Sequence, residues 1–244
     1  SYPTLRLHPR KEESVLRFHP WIFSGAIASF SAPVEDGDLV SVVDSKGRPL
    51  GTGHFGGGSI AVRLLSFDAE EVIDRAFYKR RLEAALRLRL SCDLVRPVGS
   101  SDSPNTAYRL VHGEGDSLPG LIIDIYDRTA VVQAHSLGMH QARQTIAEVL
   151  WEVFAEAGDP VLPLEGIYYK SETTLPTRDM RELALDGFLI GHTEAAPIYE
   201  NGVRFTPDWL KGQKTGFFID QRDNRALVAH YAKGRTVLNA FCYT

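Results

Sequence analysis

Residues 212–225 read GQKTGFFIDQRDNR and residues 237–244 read VLNAFCYT, and these two stretches decide how the chain is to be read. The first gathers Lys214, Thr215, Asp220, Gln221, Arg222 and Arg225 around two phenylalanines. It runs into a predicted helix, Asp220 to Tyr231, with Leu227, Val228 and Tyr231 on its apolar side. Thr236 to Phe241 is then a continuous apolar run of the kind buried as a strand in a parallel sheet. Helix followed by buried strand is the pattern of an α/β unit, and such sheets bind ligands at the carboxyl ends of their strands, here Asn239 to Thr244. In the first stretch Gly216 lets the backbone approach a ligand, Phe217 or Phe218 offers a ring for stacking, and Arg222 offers a bidentate clamp for a carboxylate. The competing structural reading is an amphipathic helix start with Asp220 as N-cap and solvated arginines, followed by a plain core strand.

Upstream, the period changes twice. From Leu5 to about Phe67, short apolar runs such as 39–43 and 60–65 alternate with glycine and aspartate turns, which predicts a small barrel of short strands. Residues 69–91 take up helical spacing, with Tyr78, Leu82, Ala85 and Leu86 on one face. Strands follow at 108–111, 121–126, 130–134 and 166–170, with a helix through Ile146, Val149, Leu150, Val153 and Phe154 that stops at Gly158 and Pro160. Ile198 to Phe205 reads as a hairpin turning at Asn201-Gly202, a type I′ signal. Residues 171–193 lack periodicity and read as loop.

Composition excludes whole classes of function. Of 244 residues, 43% are hydrophobic and 24% charged, with 27 Lys and Arg against 31 Asp and Glu, which excludes disordered, collagenous and coiled-coil chains. No apolar run approaches the roughly 20 residues of a membrane span. Two cysteines, Cys92 and Cys242, offer no disulfide framework, so a reducing, cytoplasmic setting is expected, with both thiols buried and inert. The net charge of −4 argues against nucleic-acid binding by bulk charge, but residues 211–235 hold six Lys and Arg against two Asp, so a local basic face is open.

Three further constellations bear on chemistry. Arg17, His19 and Trp21 surround Pro20, and an aromatic beside basic side chains can stack on a base while holding a phosphate; the alternative places Trp21 in the core. Glu114, Asp116 and Asp124 lie close in sequence, as paired acids for acid–base work do, or as caps of a turn shaped by Pro119-Gly120. His112 stands alone, so no metal set is expected.

Taken in order, RFHPWIFSGAI (17–27), GEGDSLPGLIIDIY (113–126), ENGVRF (200–205), KTGFFIDQRDNR (214–225) and VLNAFCYT (237–244) resemble the class I S-adenosylmethionine-dependent methyltransferases that modify carbon 5 of cytosine in large-subunit ribosomal RNA and carry an N-terminal PUA domain. The resemblance implies a mixed α+β and α/β chain: a PUA-like RNA-binding barrel at 1–68, a central mixed α/β domain at 69–190, and the first part of a Rossmann-like methyltransferase domain at 191–244. It implies S-adenosyl-L-methionine as cofactor, with contacts from Lys214, Thr215, Gly216, Phe217, Asp220, Gln221, Arg222, Asn239, Phe241 and Tyr243. Asn239 departs from the family pattern, where an aspartate is more usual. Structured ribosomal RNA is the implied partner, through Arg17, His19 and Trp21.

The family continues into a glycine-rich turn, an acidic ribose contact and a nucleophilic cysteine that adds to carbon 6 of the ring. Neither Cys92 nor Cys242 matches that cysteine, so the 244 residues are expected to be inactive alone and to bind cofactor weakly. A homodimer or edge association through the strand at 236–241 is a further expectation. Two rival functions stand beside this one: a stand-alone RNA-binding module without chemistry, and a small-molecule enzyme built on the acids at 114–124.

Overall fold

The structure, a computed structural model, describes residues 2–100, 102–175 and 186–240. Short β-branched runs cut by tight turns make β1 (Thr4–Leu7), β2 (Trp21–Phe23), β3 (Ile27–Phe30), β4 (Leu39–Val43), β5 (Pro49–Phe55) and β6 (Ile60–Ser66), with a one-turn helix α1 (Glu13–Leu16) between the first two. They form one sheet in the order β2-β6-β5-β4-β1-β3, in which β1 and β4 are parallel. Ile22 on one edge strand and Ile27 on the other both pack against the same interior of Leu5, Val40, Val42 and Val62, so the sheet curls around its core. The expected barrel is corrected in this respect: among the described residues no ladder joins β2 to β3, and a 3-10 turn, Ser24–Ala26, carries the chain between them.

α2 (Arg75–Ser91) begins at residue 75 because the Asp74 side chain accepts the Phe77 N–H at 2.9 Å and caps it there. A second sheet follows, made of β7 (Ala107–His112), β8 (Leu121–Tyr126), β9 (Thr129–Ala134), β10 (Gly166–Tyr169) and β11 (Gly187–Gly191) in the order β11-β10-β9-β8-β7. Between β9 and its parallel neighbour β10 run α3 (Leu137–Gln141) and α4 (Arg143–Ala157). α2 and α4 cover one face of this sheet, burying Leu82, Ile123, Ile125, Val132, Leu150 and Phe154. Period-2 alternation sends Tyr126 and Val131 to the opposite face, against Ile198, Trp209 and Phe217. β11 corrects the reading of 171–193 as loop: its five residues, GFLIG, are too short and too glycine-bounded to show a period. Residues 176–185 of that stretch lie outside the described residues.

The hairpin forms as expected, β12 (Ile198–Glu200) and β13 (Val203–Phe205), with positive φ at Asn201 (48°) and Gly202 (83°). After a 3-10 turn, Ile219–Gln221, comes α5 (Arg222–Ala232). Gln221, not Asp220, sits at its N-cap, and it makes no side-chain cap bond. Two expectations fail beyond it. Leu227, Val228 and Tyr231 stand exposed instead of buried, and residues 236–240 form no strand, Leu238 being 90% exposed. A strand exists by pairing, and none of the described strands lies alongside this run; Phe241, the last residue of the expected strand, lies outside the described residues.

Candidate functional site

The segment Lys214–Phe218 is pinned to the uncovered face of the second sheet. Arg109 clasps the fully buried Asp124 through two hydrogen bonds, Nε to Oδ1 at 2.8 Å and Nη2 to Oδ2 at 3.0 Å. The Thr215 hydroxyl donates to Asp124 Oδ2 at 2.6 Å and lies 2.6 Å from the Tyr126 hydroxyl, while Gln133 Nε2 donates to the Lys214 carbonyl at 3.3 Å. Burial, with the Asp124 charge beside it, pushes the Tyr126 phenol well above its ordinary range, so it stays protonated. At Gly216, φ is +124° and an added Cβ would run into the Trp209 backbone, so the glycine serves an internal close approach. Phe217 is buried beneath the Arg225 guanidinium, 4.4 Å from its ring centroid. Arg225 in turn holds the nearly buried Glu200 with two bonds, at 2.7 and 2.6 Å, and donates to the Phe218 carbonyl at 2.7 Å.

These contacts sort the predicted cofactor residues. Thr215, Gly216 and Phe217 are packed inward. Arg222 donates to the Ala107 carbonyl and lies 3.9 Å from Glu200, and burial lowers its pKa, so it is engaged internally and not held out as a carboxylate clamp. Lys214, Asp220, Gln221 and Asn239, by contrast, line one cleft of about 810 Å³ together with Phe218, Asn224 and Val228. Phe241 and Tyr243 lie outside the described residues.

Within the cleft, Lys214 Nζ sits 3.5 Å from Asp220 Oδ1 and 4.4 Å from the Phe218 ring centroid. Burial pushes the Asp220 carboxyl up, but hydrogen bonding from Gln221 and the Lys214 charge outweigh it and leave its pKa below the ordinary carboxylate range. The cleft thus offers a cation, an anion, amides and a ring, the set that a zwitterionic ligand carrying a flat base requires. Of the two stacking candidates, Phe218 is the one that faces this space. Asn224 and Val228 were not legible as lining, because only the fold of the helix turns them to the cleft.

The acids at 114–124 are all committed elsewhere. Asp116 pairs bidentately with Arg89 and accepts the His112 N–H at 2.6 Å, Asp124 holds Arg109 and Thr215, and Glu114 Oε1 accepts the Trp21 indole N–H at 2.7 Å. That spends them on structure and removes the basis of the small-molecule enzyme. Among the described residues no cluster of His, Cys, Asp and Glu could hold a metal ion. Trp21 is half-buried at the junction of the two sheets, not in a core, and the His19 ring stands edge-on to it at 5.8 Å. Arg17 and His19 are exposed. Cys92, expected to be buried, is exposed at the C-terminus of α2; Cys242 lies outside the described residues.

Comparison with known proteins accords with this layout. Residues 5–67 match the PUA-like domain family, and residues 178–244 match the S-adenosylmethionine-dependent methyltransferase family. The chain therefore combines a PUA-like domain with a segment of an S-adenosylmethionine-dependent methyltransferase domain in a mixed α/β fold. Among particular proteins, it is 40% identical over 243 residues to ribosomal RNA large subunit methyltransferase I of Shewanella amazonensis and 41% identical over 245 residues to the protein of that name from Shewanella denitrificans. Each match takes in 98% of this chain and 57% of the relative, so the chain spans a little over half the length of these proteins. Two solved structures share the fold. A putative SAM-dependent methyltransferase from Streptococcus mutans has a TM-score of 0.71 at 20% identity over 92% of this chain and 53% of its own. A putative methyltransferase complexed with SAH has a TM-score of 0.70 at 21% identity, covering 91% and 52%. Among the described residues no helix is long and apolar enough to cross a membrane.

Proposed function

We propose that this chain is the RNA-binding and cofactor-approaching part of an enzyme that transfers the methyl group of S-adenosylmethionine to carbon 5 of a cytosine in large-subunit ribosomal RNA. The observation that carries the reading is similarity running through 98% of the chain to ribosomal RNA large subunit methyltransferases I. The cleft supports it chemically. The amino-acid end of S-adenosylmethionine presents a carboxylate and an ammonium, for which Lys214 and Asp220 are the complementary charges, and Phe218 brings to the same cleft the aromatic ring that the adenine would need. Bound cofactor supplies an electrophilic methyl group; what these residues do is orient it. The domain boundaries 1–68, 69–190 and 191–244 belong to the same proposal, the first unit meeting structured RNA through Arg17, His19 and Trp21. Cytoplasm is the compartment in which such a substrate is met.

The test is methyl transfer from radiolabelled S-adenosylmethionine to unmodified large-subunit ribosomal RNA, using the protein extended to the length of its relatives, followed by nucleoside analysis. 5-Methylcytidine is the expected product. A methyl group on another atom, or none on RNA, overturns the reading.

A further inference from the structure

A cavity of about 300 Å³ opens where the first sheet meets the central unit, lined by Asp36, His54, Phe55, Ile60, Arg63 and Leu137 and by the loop Gly56–Ser59. Arg63 also borders a second cavity of about 230 Å³ on its other side, with Glu114 and His135. Its guanidinium is half-buried and makes neither a hydrogen bond nor an ion pair among the described residues. Glu114, whose charge acts on it, is already held by the Trp21 indole N–H. A half-buried arginine with no bonded acceptor is a group prepared for one from outside. His54 adds a neutral ring to the lining, because burial and the nearby Arg63 charge lower its pKa to about 4. Neutral imidazole can donate or accept, and it does not compete with Arg63 for an anion.

The rest of the cavity is suited to a flat, largely apolar body. Phe55, Ile60 and Leu137 form its walls, and the Asp36 carboxylate stands beside Gly57. A cation at one point, apolar walls and a carboxylate describe a nucleotide: phosphate, ring, exocyclic amine. Arg63 also lies directly opposite Trp21 in the β2–β6 ladder, so the strand that carries it adjoins the surface proposed for RNA.

We propose that this cavity receives one unpaired nucleotide of the RNA, its phosphate on Arg63 and its base between Phe55, Ile60 and Leu137, with Asp36 accepting from the exocyclic amine. The inference rests on the RNA reading above and adds a place where the strand is gripped away from the cofactor cleft. Cytosine, adenine and guanine carry that amine and uracil does not, so the site discriminates against uridine.

Fluorescence anisotropy with a labelled RNA hairpin carrying a cytidine-rich single-stranded loop tests it. Arg63→Gln is expected to weaken binding about tenfold and to make the salt dependence shallower by roughly 0.7–0.9 in the log–log slope, the loss of one phosphate contact. Ser59→Glu, at an exposed rim position, sets a carboxylate against the phosphate and is expected to weaken binding as well, which keeps the test valid if Arg63→Gln fails to fold. Replacing the loop cytidines by uridines weakens the unaltered protein and leaves Asp36→Asn unaffected. Free cytidine monophosphate, added as competitor, is expected to displace the hairpin only at concentrations far above those at which the hairpin saturates. Wild-type affinity and slope in both Arg63→Gln and Ser59→Glu, or equal competition by the mononucleotide, would overturn the proposal while leaving the RNA reading intact. Absence of any hairpin binding by the unaltered chain would overturn both.

Discussion

Thr215 Oγ1 donates to Asp124 Oδ2 at 2.6 Å, and both residues are fully buried. One comes from the central sheet and the other from the segment that leads into the cofactor cleft, so this bond sets where Lys214 and Phe218 stand. Thr215→Val removes it, leaves one Asp124 lone pair unpaired and the Tyr126 hydroxyl with only the Phe217 carbonyl at 3.4 Å, and should cost about 1–3 kcal/mol. Asp124→Asn also breaks the charge pair with Arg109, and because Arg109 still reaches water the expected loss is roughly 3 kcal/mol. Urea denaturation at neutral pH measures both. Equal, negligible losses would mean that the network carries no stability.

Arg225 gives the same segment its second anchor. Its two bonds to Glu200, its bond to the Phe218 carbonyl and its place over Phe217 use the planar fork of a guanidinium, which lysine lacks. Arg225→Lys should therefore loosen α5 by about 1.5–3 kcal/mol despite keeping the charge. Hydrogen exchange read along residues 222–232 is the measurement. Faster exchange there, with the α2 and α4 amides unchanged, is the expected pattern.

Features fixed by neighbours in sequence were legible; features fixed by distant parts of the chain were not. Asn201-Gly202 declares its turn because two adjacent residues take positive φ, and the α4 spacing declares its buried face because α4 packs against its own sheet. The α5 spacing is just as regular, but period states which side is apolar and not what covers it, so Leu227, Val228 and Tyr231 are exposed. Thr215 and Phe217 read as ligand contacts for the same reason. Nothing near them in sequence announces that Asp124 and Tyr126, about ninety residues earlier, lie underneath. Of the candidate cleft, Lys214, Asp220 and Gln221 could be read, since charged and amide groups ahead of a helix are conspicuous in a linear sequence, whereas Asn239 entered only as the end of an expected strand and through the family resemblance.

If the cleft orients S-adenosylmethionine through opposite charges, Lys214→Met and Asp220→Asn should each weaken binding of S-adenosylhomocysteine about tenfold in calorimetry on the protein extended to the length of its relatives. Their pairing at 3.5 Å lies in an exposed setting, so neither change should move thermal stability appreciably. Thr215→Val serves as contrast, lowering stability first and affinity only through it. A tenfold effect from Thr215→Val at unchanged stability would shift the site inward.

His54 makes the junction between the sheets sensitive to acid. Its ring lies against the backbone of Gly138, where an added Cβ would collide with it, and its folded pKa is about 4 against an ordinary 6.5, through burial and then the Arg63 charge. A base whose pKa is depressed on folding takes up protons more readily when unfolded, so its contribution is complete above about pH 6.5 and is lost as pH falls toward 4. A shift of that size corresponds to roughly 3 kcal/mol across the window. His135 and His140 are also depressed, chiefly by burial, and add to the same slope, so the difference between wild type and His54→Gln isolates the residue. Stability measured by urea at pH 7 and pH 4.5 should fall less in His54→Gln than in wild type, by an amount approaching that figure. Parallel losses in the two proteins would show that His54 is protonated in the folded state at its ordinary pKa and that the junction is wetter than its burial implies.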